Sequence, residues 1–167
     1  MKFKNILALV LFSFLLAGCA GYQVGSTLPE DVQSVLLKVV NNTTEPSIEV
    51  AVMKALRAEV QADGRLKLAH PGSEDVVLTV TLNRFSLTPL AFDDRHHSLT
   101  REYRMMINAS SVLTYAETDE VIVESTGLWG EGDFPYEGDL TSAKRYSAPP
   151  AAKDLAMKVV SLVTTAW

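Results

Sequence analysis

Cysteine is the residue type in this sequence whose position most clearly implies chemistry. The single cysteine, Cys19, ends the sequence Leu16-Ala17-Gly18-Cys19, which is a lipobox. A thiol after two small residues at the end of an export signal is the acceptor for diacylglycerol, and cleavage then leaves the lipidated cysteine as the new N-terminus. We therefore expect covalent diacylglycerol and an N-linked acyl chain such as palmitate on Cys19, and no other cofactor.

The residues before Cys19 have the organisation of an export signal. Lys2 and Lys4 precede an apolar run over residues 6–17, which is shorter than the roughly 20 residues that a membrane-spanning helix needs. Residues 1–18 are therefore predicted to be a cleaved signal peptide, and the acyl chains on Cys19 would hold the rest of the chain on a membrane. Ala20 follows the cysteine, where enterobacterial inner-membrane lipoproteins typically carry aspartate, so we expect the outer membrane.

Histidines are candidate metal ligands or catalytic bases. His96 and His97 are adjacent, so they would point to opposite sides of a strand, and His70 lies in a separate Pro-Gly segment. A closed zinc site needs three or four protein ligands at recurring spacing, and this sequence lacks that spacing. Neither a Gly-x-Ser-x-Gly sequence nor a glycine-rich phosphate loop occurs, so we expect no metal site and no enzyme. A lipid-anchored hydrolase would require these histidines to meet carboxylates in a pocket.

Four arginines lie near one another in the middle of the chain. A guanidinium group forms paired hydrogen bonds with phosphate, so this cluster is a candidate site for an anionic lipid headgroup. The alternative is that the arginines pair with Asp93, Asp94 and Glu102 at the surface, an arrangement that is common and stabilises little. The cluster comprises Arg84, Arg95, Arg101 and Arg104.

Acidic residues dominate the segment 117–139, which contains no basic residue. Their spacing differs from that of a calcium-binding loop, so a solvated acidic surface is the preferred interpretation. The sequence has a formal net charge of −5, and loss of Lys2 and Lys4 makes it more negative. Nucleic acid is not an expected partner, because binding it requires a basic surface. The acidic residues are Glu117, Asp119, Glu120, Glu124, Glu131, Asp133, Glu137 and Asp139.

Hydrophobic spacing predicts the elements that would position these residues. Apolar residues four apart after Pro46 predict a helix of about sixteen residues, which Thr44 would cap and Asp63-Gly64 would end. A second helix is expected to begin at Ser147. The segment 66–68 is too short to classify. Strands are predicted over residues 35–40, 76–89, 103–115 and 121–129, the last three as an antiparallel meander.

The predicted order is strand, helix, strand, strand, strand, helix. Each helix has one apolar stripe and the strands have one apolar face, so we expect an α/β (α+β) fold, a two-layer sandwich of two helices on a four-stranded mixed sheet. Residues 19–34 would form the lipidated N-terminus and a tether, and residues 35–167 the sandwich domain. Gly130 and Gly132 are expected to end the fourth strand and to open a long loop that continues to Ser147.

The sheet face that points away from the predicted helices is polar but hardly charged. A face that meets only water usually carries more lysine and glutamate, so burial against a hydrated partner surface is one interpretation and plain solvent exposure is the other. The residues expected on this face are Thr79, Thr81, Asn83, Met106, Asn108, Ser110 and Thr114.

The order of these features resembles that of the LptE family of lipopolysaccharide-assembly lipoproteins. The resemblance covers essentially the whole chain after the signal peptide, including the strand-meander-helix order. The residues that carry it are Leu16-Ala17-Gly18-Cys19, Gly21-Tyr22, Asn41, Thr43, Glu45-Pro46, Glu49, Leu56 and Glu59.

The resemblance implies an outer-membrane lipoprotein that catalyses no reaction. It would sit as a plug inside the lumen of the β-barrel protein LptD, with its domain on the periplasmic side, help that barrel to assemble, and bind lipopolysaccharide during its transport to the cell surface. Basic residues near the tip of the domain would contact the lipopolysaccharide phosphates, and Arg95 and Arg101 fit this placement best. A stand-alone lipid-anchored periplasmic adaptor or ligand-binding lipoprotein would share the lipobox and the fold, so it stays the alternative.

Overall fold

Two helices pack against one face of a five-stranded sheet in the described part of the chain. The computed structural model describes residues 28–29, 31–92, 100–136 and 138–165. The predicted signal peptide, Cys19, and the segment with Arg95, His96 and His97 lie outside these ranges. None of the described helices is both long and apolar enough to cross a membrane. The elements are β1 (Ser34–Asn41), α1 (Ile48–Asp63), β2 (Lys67–Leu68), β3 (Val76–Phe92), β4 (Thr100–Tyr115), β5 (Val121–Pro135) and α2 (Leu140–Thr165).

The strand order across the sheet is β2-β1-β3-β4-β5. β1 is parallel to both β2 and β3, and β3, β4 and β5 form an antiparallel meander, so the predicted two-layer sandwich with a mixed sheet is confirmed. The predicted number of four strands is wrong. The fifth strand is β2, whose two residues are too few to show alternation, and backbone bonds such as Lys67 N–H to Gln33 O (2.8 Å) hold it against β1.

α1 is built as the four-residue spacing predicts. Ile48, Val52, Leu56 and Val60 form its buried stripe. Gly64 ends it in the left-handed conformation (φ 75°), and its N–H donates to the carbonyl of Val60 at 3.1 Å. The predicted cap was wrong, because a serine in the left-handed conformation, at position 47, precedes the first helical residue and its hydroxyl makes no capping hydrogen bond.

β5 is longer than the sequence indicated. The prediction that Gly130 and Gly132 end this strand is wrong, because β5 continues to Pro135 while paired with β4. Both glycines lie under α2: a β-carbon added at Gly130 would be only 2.3 Å from the carbonyl oxygen of Ala151 and 2.6 Å from Cβ of Leu155. Glycine therefore allows the helix to approach the sheet closely here, and it does not mark a loop.

α2 begins at Leu140, so the predicted start at Ser147 is also wrong. Asp139 caps the helix, since its carboxylate accepts hydrogen bonds from the backbone N–H groups of Thr141 (3.0 Å) and Ser142 (3.2 Å). Hydrogen bonds from Ser142 and from the Thr141 N–H lower the pKa of Asp139. The Pro-Pro pair that suggested a later start lies inside the helix.

The core lies between the helices and one face of the sheet, as the alternation in β3 and β4 predicted. Leu28 and Val32, from the segment interpreted as a tether, are also buried in it. Both helices pack their apolar stripes against this face of the sheet. The described residues of the opposite face are not part of the core cluster. The largest fully buried side chains are Val35 from β1, Val76, Leu78, Val80 and Leu82 from β3, Met105, Ile107 and Leu113 from β4, Val52 and Leu56 from α1, and Leu155 and Val159 from α2.

Candidate partner-binding face

The sheet face opposite the helices carries the candidate site. Its side chains alternate with the core residues along β3 and β4, and they are half-buried or exposed. We call this surface the open face. It consists of Leu36, Lys38 and Val40 from β1, Val77, Thr79, Thr81, Arg84, Ser86 and Thr88 from β3, Arg104, Met106, Asn108, Ser110, Val112 and Thr114 from β4, and Glu124, Trp129, Glu131 and Asp133 from β5.

The centre of the open face is uncharged. In the sheet register Thr79 is paired with Val112, and Thr81 is paired with Ser110. Asn83 is the extra residue of a β-bulge, and its side-chain amide donates to Ser110 Oγ at 3.2 Å. Protein interfaces are depleted of charge at their centres and keep polar groups at their rims. The residue types at the centre of the open face therefore suit contact with another protein.

One ion cluster on β4 and β5 holds three of the charged side chains of the open face, and the others there are Lys38, Arg84 and Glu124. Arg104 Nε and Nη2 donate to the two carboxylate oxygens of Asp133 at 2.7 and 2.8 Å, and a carboxylate oxygen of Glu131 lies 3.7 Å from Arg104 Nη1. The Asp133 carboxylate raises the pKa of Arg104 above its ordinary value, and the guanidinium lowers the pKa of Asp133. Arg104 would have to exchange this partner before binding a phosphate.

The predicted arginine cluster does not form a single surface. Arg84 and Arg104 share the open face but lie about 13 Å apart along the strands, because Arg104 is paired with Thr88. Alternation along β4 places Arg101 on the other side of the sheet, with Tyr103. Arg84 and Arg101 are exposed. Phosphate binding by these arginines stays a prediction.

The other candidate ligands are dispersed. Among the described residues, no group of three or more His, Cys, Asp or Glu side chains is placed to hold a metal ion. His70 lies in the segment between β2 and β3, and Arg95, His96, His97 and Glu137 lie outside the described ranges. The long loop predicted from Gly130 to Ser147 is wrong, because β5 runs to Pro135 and the second helix starts at Leu140. The described acidic residues of segment 117–139 are distributed over the β4–β5 turn, β5 and the α2 cap.

The free edge of β5 is blocked by α2, a feature that sequence reasoning missed. The carboxylate of Asp154 accepts a hydrogen bond from the Glu131 N–H at 2.9 Å, and Lys158 Nζ donates to the Trp129 carbonyl at 2.6 Å. Asp154 and Lys158 are themselves paired at 2.7 Å. Because an open edge strand invites pairing with another chain, this arrangement favours partner contact through the open face over contact through this part of the edge.

Sequence reasoning also missed the apolar share of the open face. Val77, Val112 and Trp129 lie between its polar side chains, so the surface is mixed and not purely polar. The alternation of valine with threonine along β3 contained the signal for Val77. Trp129 could not be placed, because the strand was expected to end there.

In a comparison with protein-family models, residues 32–161 match the LptE model, which is described as lipopolysaccharide-assembly. No curated protein is significantly similar to this chain in sequence.

Several solved structures share the fold at low sequence identity. Protein XCC0632 from Xanthomonas campestris has a TM-score of 0.55 at 11% identity, over 81% of this chain and 85% of that chain. A minor lipoprotein from Acinetobacter baumannii has a TM-score of 0.51 at 12% identity, over 79% and 90%. A PelC dodecamer from Paraburkholderia phytofirmans has a TM-score of 0.51 at 15% identity, over 84% and 95%. At these identities the similarity establishes the fold alone.

Proposed function

Because this chain belongs to the LptE lipopolysaccharide-assembly family, we propose that it is an outer-membrane lipoprotein that plugs an LptD-like β-barrel and takes part in lipopolysaccharide transport to the cell surface. The acyl chains on Cys19 would anchor it to the inner leaflet of the outer membrane. The sandwich would occupy the barrel lumen from the periplasmic side. Its role would be steric and electrostatic, with no reaction catalysed.

The observation that carries this proposal is the uncharged centre of the open face. A barrel lumen is lined by polar side chains and water, so a plug needs a surface that forms many neutral hydrogen bonds without burying unpaired charge. Thr79, Thr81 and Ser110 supply such groups at the centre. The ion cluster of Arg104 lies toward the rim of this surface, where it can stay hydrated.

The first test is co-isolation from outer membranes. The full-length protein, tagged at its C-terminus, is solubilised in mild detergent and captured. We expect one large β-barrel to be recovered with it at close to 1:1 stoichiometry. Recovery of the lipoprotein alone would overturn the plug role and favour the stand-alone adaptor.

Two arginine substitutions at matched serines test the face itself. Ser110→Arg puts a charge at the centre of the open face, and we expect it to abolish recovery of the barrel, because the charge would be buried without a partner. Ser161→Arg places the same side chain at an exposed position on α2 and should leave recovery unchanged. Equal recovery with both variants would show that the open face is not the contact.

Depletion tests the role in cells. If the protein supports assembly of the barrel, its depletion lowers the amount of mature LptD and makes the outer membrane permeable to large hydrophobic antibiotics. Normal barrel levels after depletion would contradict the proposal. The lipid anchor is checked separately by mass spectrometry of the mature N-terminus, where Cys19→Ser should remove the acyl mass.

A further inference from the structure

One edge of the sheet is only partly covered, in contrast to the edge of β5 that α2 blocks. β2 pairs with β1 only at Ser34 and Val35, whereas β1 continues to Asn41. Among the described residues, no backbone hydrogen bond is formed on the outer side of β1 beyond Val35. An uncovered edge presents backbone donors and acceptors to a further strand, so the second half of β1 is the part of the sheet that can accept one.

The bonds that β1 does form show which of its backbone groups point outward. The carbonyl of Ser34 accepts a hydrogen bond on the β3 side, and the carbonyl of Val35 accepts one on the β2 side. In a parallel pairing the N–H and C=O of one residue point to the same side, and successive residues alternate. Residues 37, 39 and 41 therefore direct their backbone groups outward, where an added strand would bond to them.

A groove of about 610 Å³ lies between this edge and α1, and we call it the edge groove. Val39 forms its wall on β1, and Val50 and Met53 contribute apolar side chains from α1. Val50 is 64% exposed, so this apolar surface faces solvent. The lining residues of α1 extend from Glu49 to Gln61, which is about 18 Å of helix and matches about five residues of a strand.

The edge groove carries more positive than negative charge. Lys54 and Arg57 line it, and neither forms an ion pair with another described residue. The carboxylate of Glu49, in the same lining, is occupied by a hydrogen bond from Asn41 Nδ2 at 2.7 Å. Lys38 is exposed on the other side of the same strand and adds a further cation. On a chain with a net charge of −5, this local surface favours an acidic ligand.

We propose that the edge groove binds an extended acidic segment of a partner protein, which adds to the sheet as a strand beside β1. Its backbone bonds to the outward groups of β1, which is a recurring mode of peptide recognition. An apolar side chain of the segment packs on Val39 and Met53, and acidic side chains pair with Lys54 and Arg57. This contact is separate from the one proposed for the barrel lumen, because it uses the edge of the sheet and α1, not the open face.

The charge and the backbone of the site together select this occupant. A second copy of the chain fits less well, because pairing two β1 edges would bring two positively charged grooves together. A lipid or a free anion would leave the backbone groups of the edge without protein partners. A neutral strand would satisfy the backbone but leave Lys54 and Arg57 unpaired.

The probe for the test is a fluorescent seven-residue peptide that is capped at both ends. It carries threonine at the even positions, and glutamate, valine, valine and glutamate in turn at the odd positions. In a strand the odd side chains share one face, so they reach the groove while the backbone pairs with β1. Binding to the full-length protein in mild detergent is measured by fluorescence anisotropy. We expect saturable binding and slower amide hydrogen exchange over residues 36–41.

Two matched peptides separate the contribution of the backbone from that of charge. N-methylation of the two amides that would face β1 keeps the charge and should lower affinity at least about tenfold, because two backbone hydrogen bonds are lost. Replacement of both glutamates by lysine keeps the backbone and should lower affinity at least about tenfold through repulsion.

Protein variants test the same two features. Val39→Pro removes an outward N–H and no bond to β3, so it should lower affinity at least about tenfold while β1 stays in the sheet. A second variant leaves β1 unchanged: Lys54→Glu combined with Arg57→Glu should weaken binding of the acidic peptide and strengthen binding of the lysine peptide, each about tenfold. Arg145→Glu combined with Lys153→Glu makes the same charge change at exposed residues of α2 outside the groove, and affinity should change by less than about twofold.

Three results would overturn the proposal. They are absence of saturable binding by the acidic peptide, equal affinity for the N-methylated peptide, and equal affinity of the Lys54 and Arg57 double variant. Sedimentation of the protein without peptide examines the second copy as occupant. A dimer that Val39→Pro dissociates would assign the edge to self-association and overturn the proposal as well, whereas a monomer would support it.

Discussion

Gly130→Ala tests a close contact between the sheet and the helix layer. The added β-carbon would lie 2.3 Å from the carbonyl oxygen of Ala151, whereas real Cβ contacts are essentially never shorter than 3.0 Å. The helix must therefore move away by at least about 0.7 Å. Because the nearest atom belongs to the backbone, rotation of a side chain cannot relieve the contact. The whole first half of α2 would have to shift on β5.

The expected cost follows from opposing terms. Overpacking a filled core costs about 3 kcal/mol at its upper end, and the loss of chain entropy in the unfolded state on replacing glycine returns about 1 kcal/mol. A net loss of about 2 kcal/mol should lower the melting temperature by roughly 6 °C for a domain of this size. The assay is thermal and urea unfolding, followed by circular dichroism, of the mature chain carrying Cys19→Ser.

Neighbouring substitutions on β5 provide the controls. Gly132→Ala would place its β-carbon 2.9 Å from the Ala151 nitrogen, so its cost should be smaller, about 1 kcal/mol. Glu131→Ala changes a side chain on the open face that is 41% exposed, and it should alter stability by less than about 0.5 kcal/mol. The reasoning is refuted if Gly130→Ala is as stable as Glu131→Ala, since α2 would then not lie as close to β5 as the structure has it.

Three further substitutions test other contacts by the same unfolding assay. The Asp75 carboxylate accepts hydrogen bonds from Ser34 Oγ (2.7 Å), the Ser34 N–H (2.8 Å) and the Gln33 N–H (3.0 Å), and these bonds lower its pKa. Asp75→Asn should therefore lower the free energy of unfolding by about 1 kcal/mol at pH 7. Because the folded-state pKa is below the unfolded value, that difference should shrink as the pH falls below about 4, and a constant difference would contradict this role. Ser111 is 1% exposed, and its hydroxyl has no hydrogen-bond partner among the described residues. Ser111→Ala should therefore stabilise the protein by about 1 kcal/mol. Ser147→Ala should not stabilise it, because the Ser147 hydroxyl donates to the Ala143 carbonyl. Arg65 joins the ends of the two helices by donating to Thr164 O (3.1 Å) and Thr164 Oγ1 (2.7 Å). Arg65→Ala should lower the free energy of unfolding by about 1 kcal/mol, and Arg65→Lys should restore only part of it. Full restoration by lysine would show that only the charge matters.

The elements that could be predicted from sequence are those whose own residues determine their form. The stripe of α1 from Ile48 to Val60 and the alternation from Val76 to Leu82 each record one buried face, so their spacing is sufficient. Gly130 was misinterpreted because its meaning depends on α2: glycine breaks an isolated strand, but under a closely packed helix it is the residue that fits. The two residues of β2 likewise pair only because β1 is beside them.

The candidate sites divide in the same way. The polar centre of the open face could be predicted, because alternation alone assigns Thr79, Thr81 and Ser110 to the side away from the helices. The cleft between the starts of α1 and α2 could not, since Lys54 and Arg145, which both line it, are distant in sequence and share it only when both helices pack on the sheet. Closeness in sequence does not guarantee a shared surface either. Arg101 and Arg104 are near neighbours on β4, yet alternation directs them to opposite sides of the sheet.

Overall acidity is a poor guide to what this fold can bind, because its charges are separated along the sheet. The acidic turn between β4 and β5 follows Tyr115, which is paired with Val76 at the start of β3. Phe85, which lines the cleft between the starts of α1 and α2, lies about 30 Å further along the same strand. Screening at physiological salt acts over about 8 Å, so the turn hardly affects the potential at the cleft. The nearby Asp133 is on the other face and is neutralised by Arg104. A chain with a net charge of −5 can therefore carry a local group of cations, here Lys54, Lys144 and Arg145, whose potential the distant acidic turn hardly lowers.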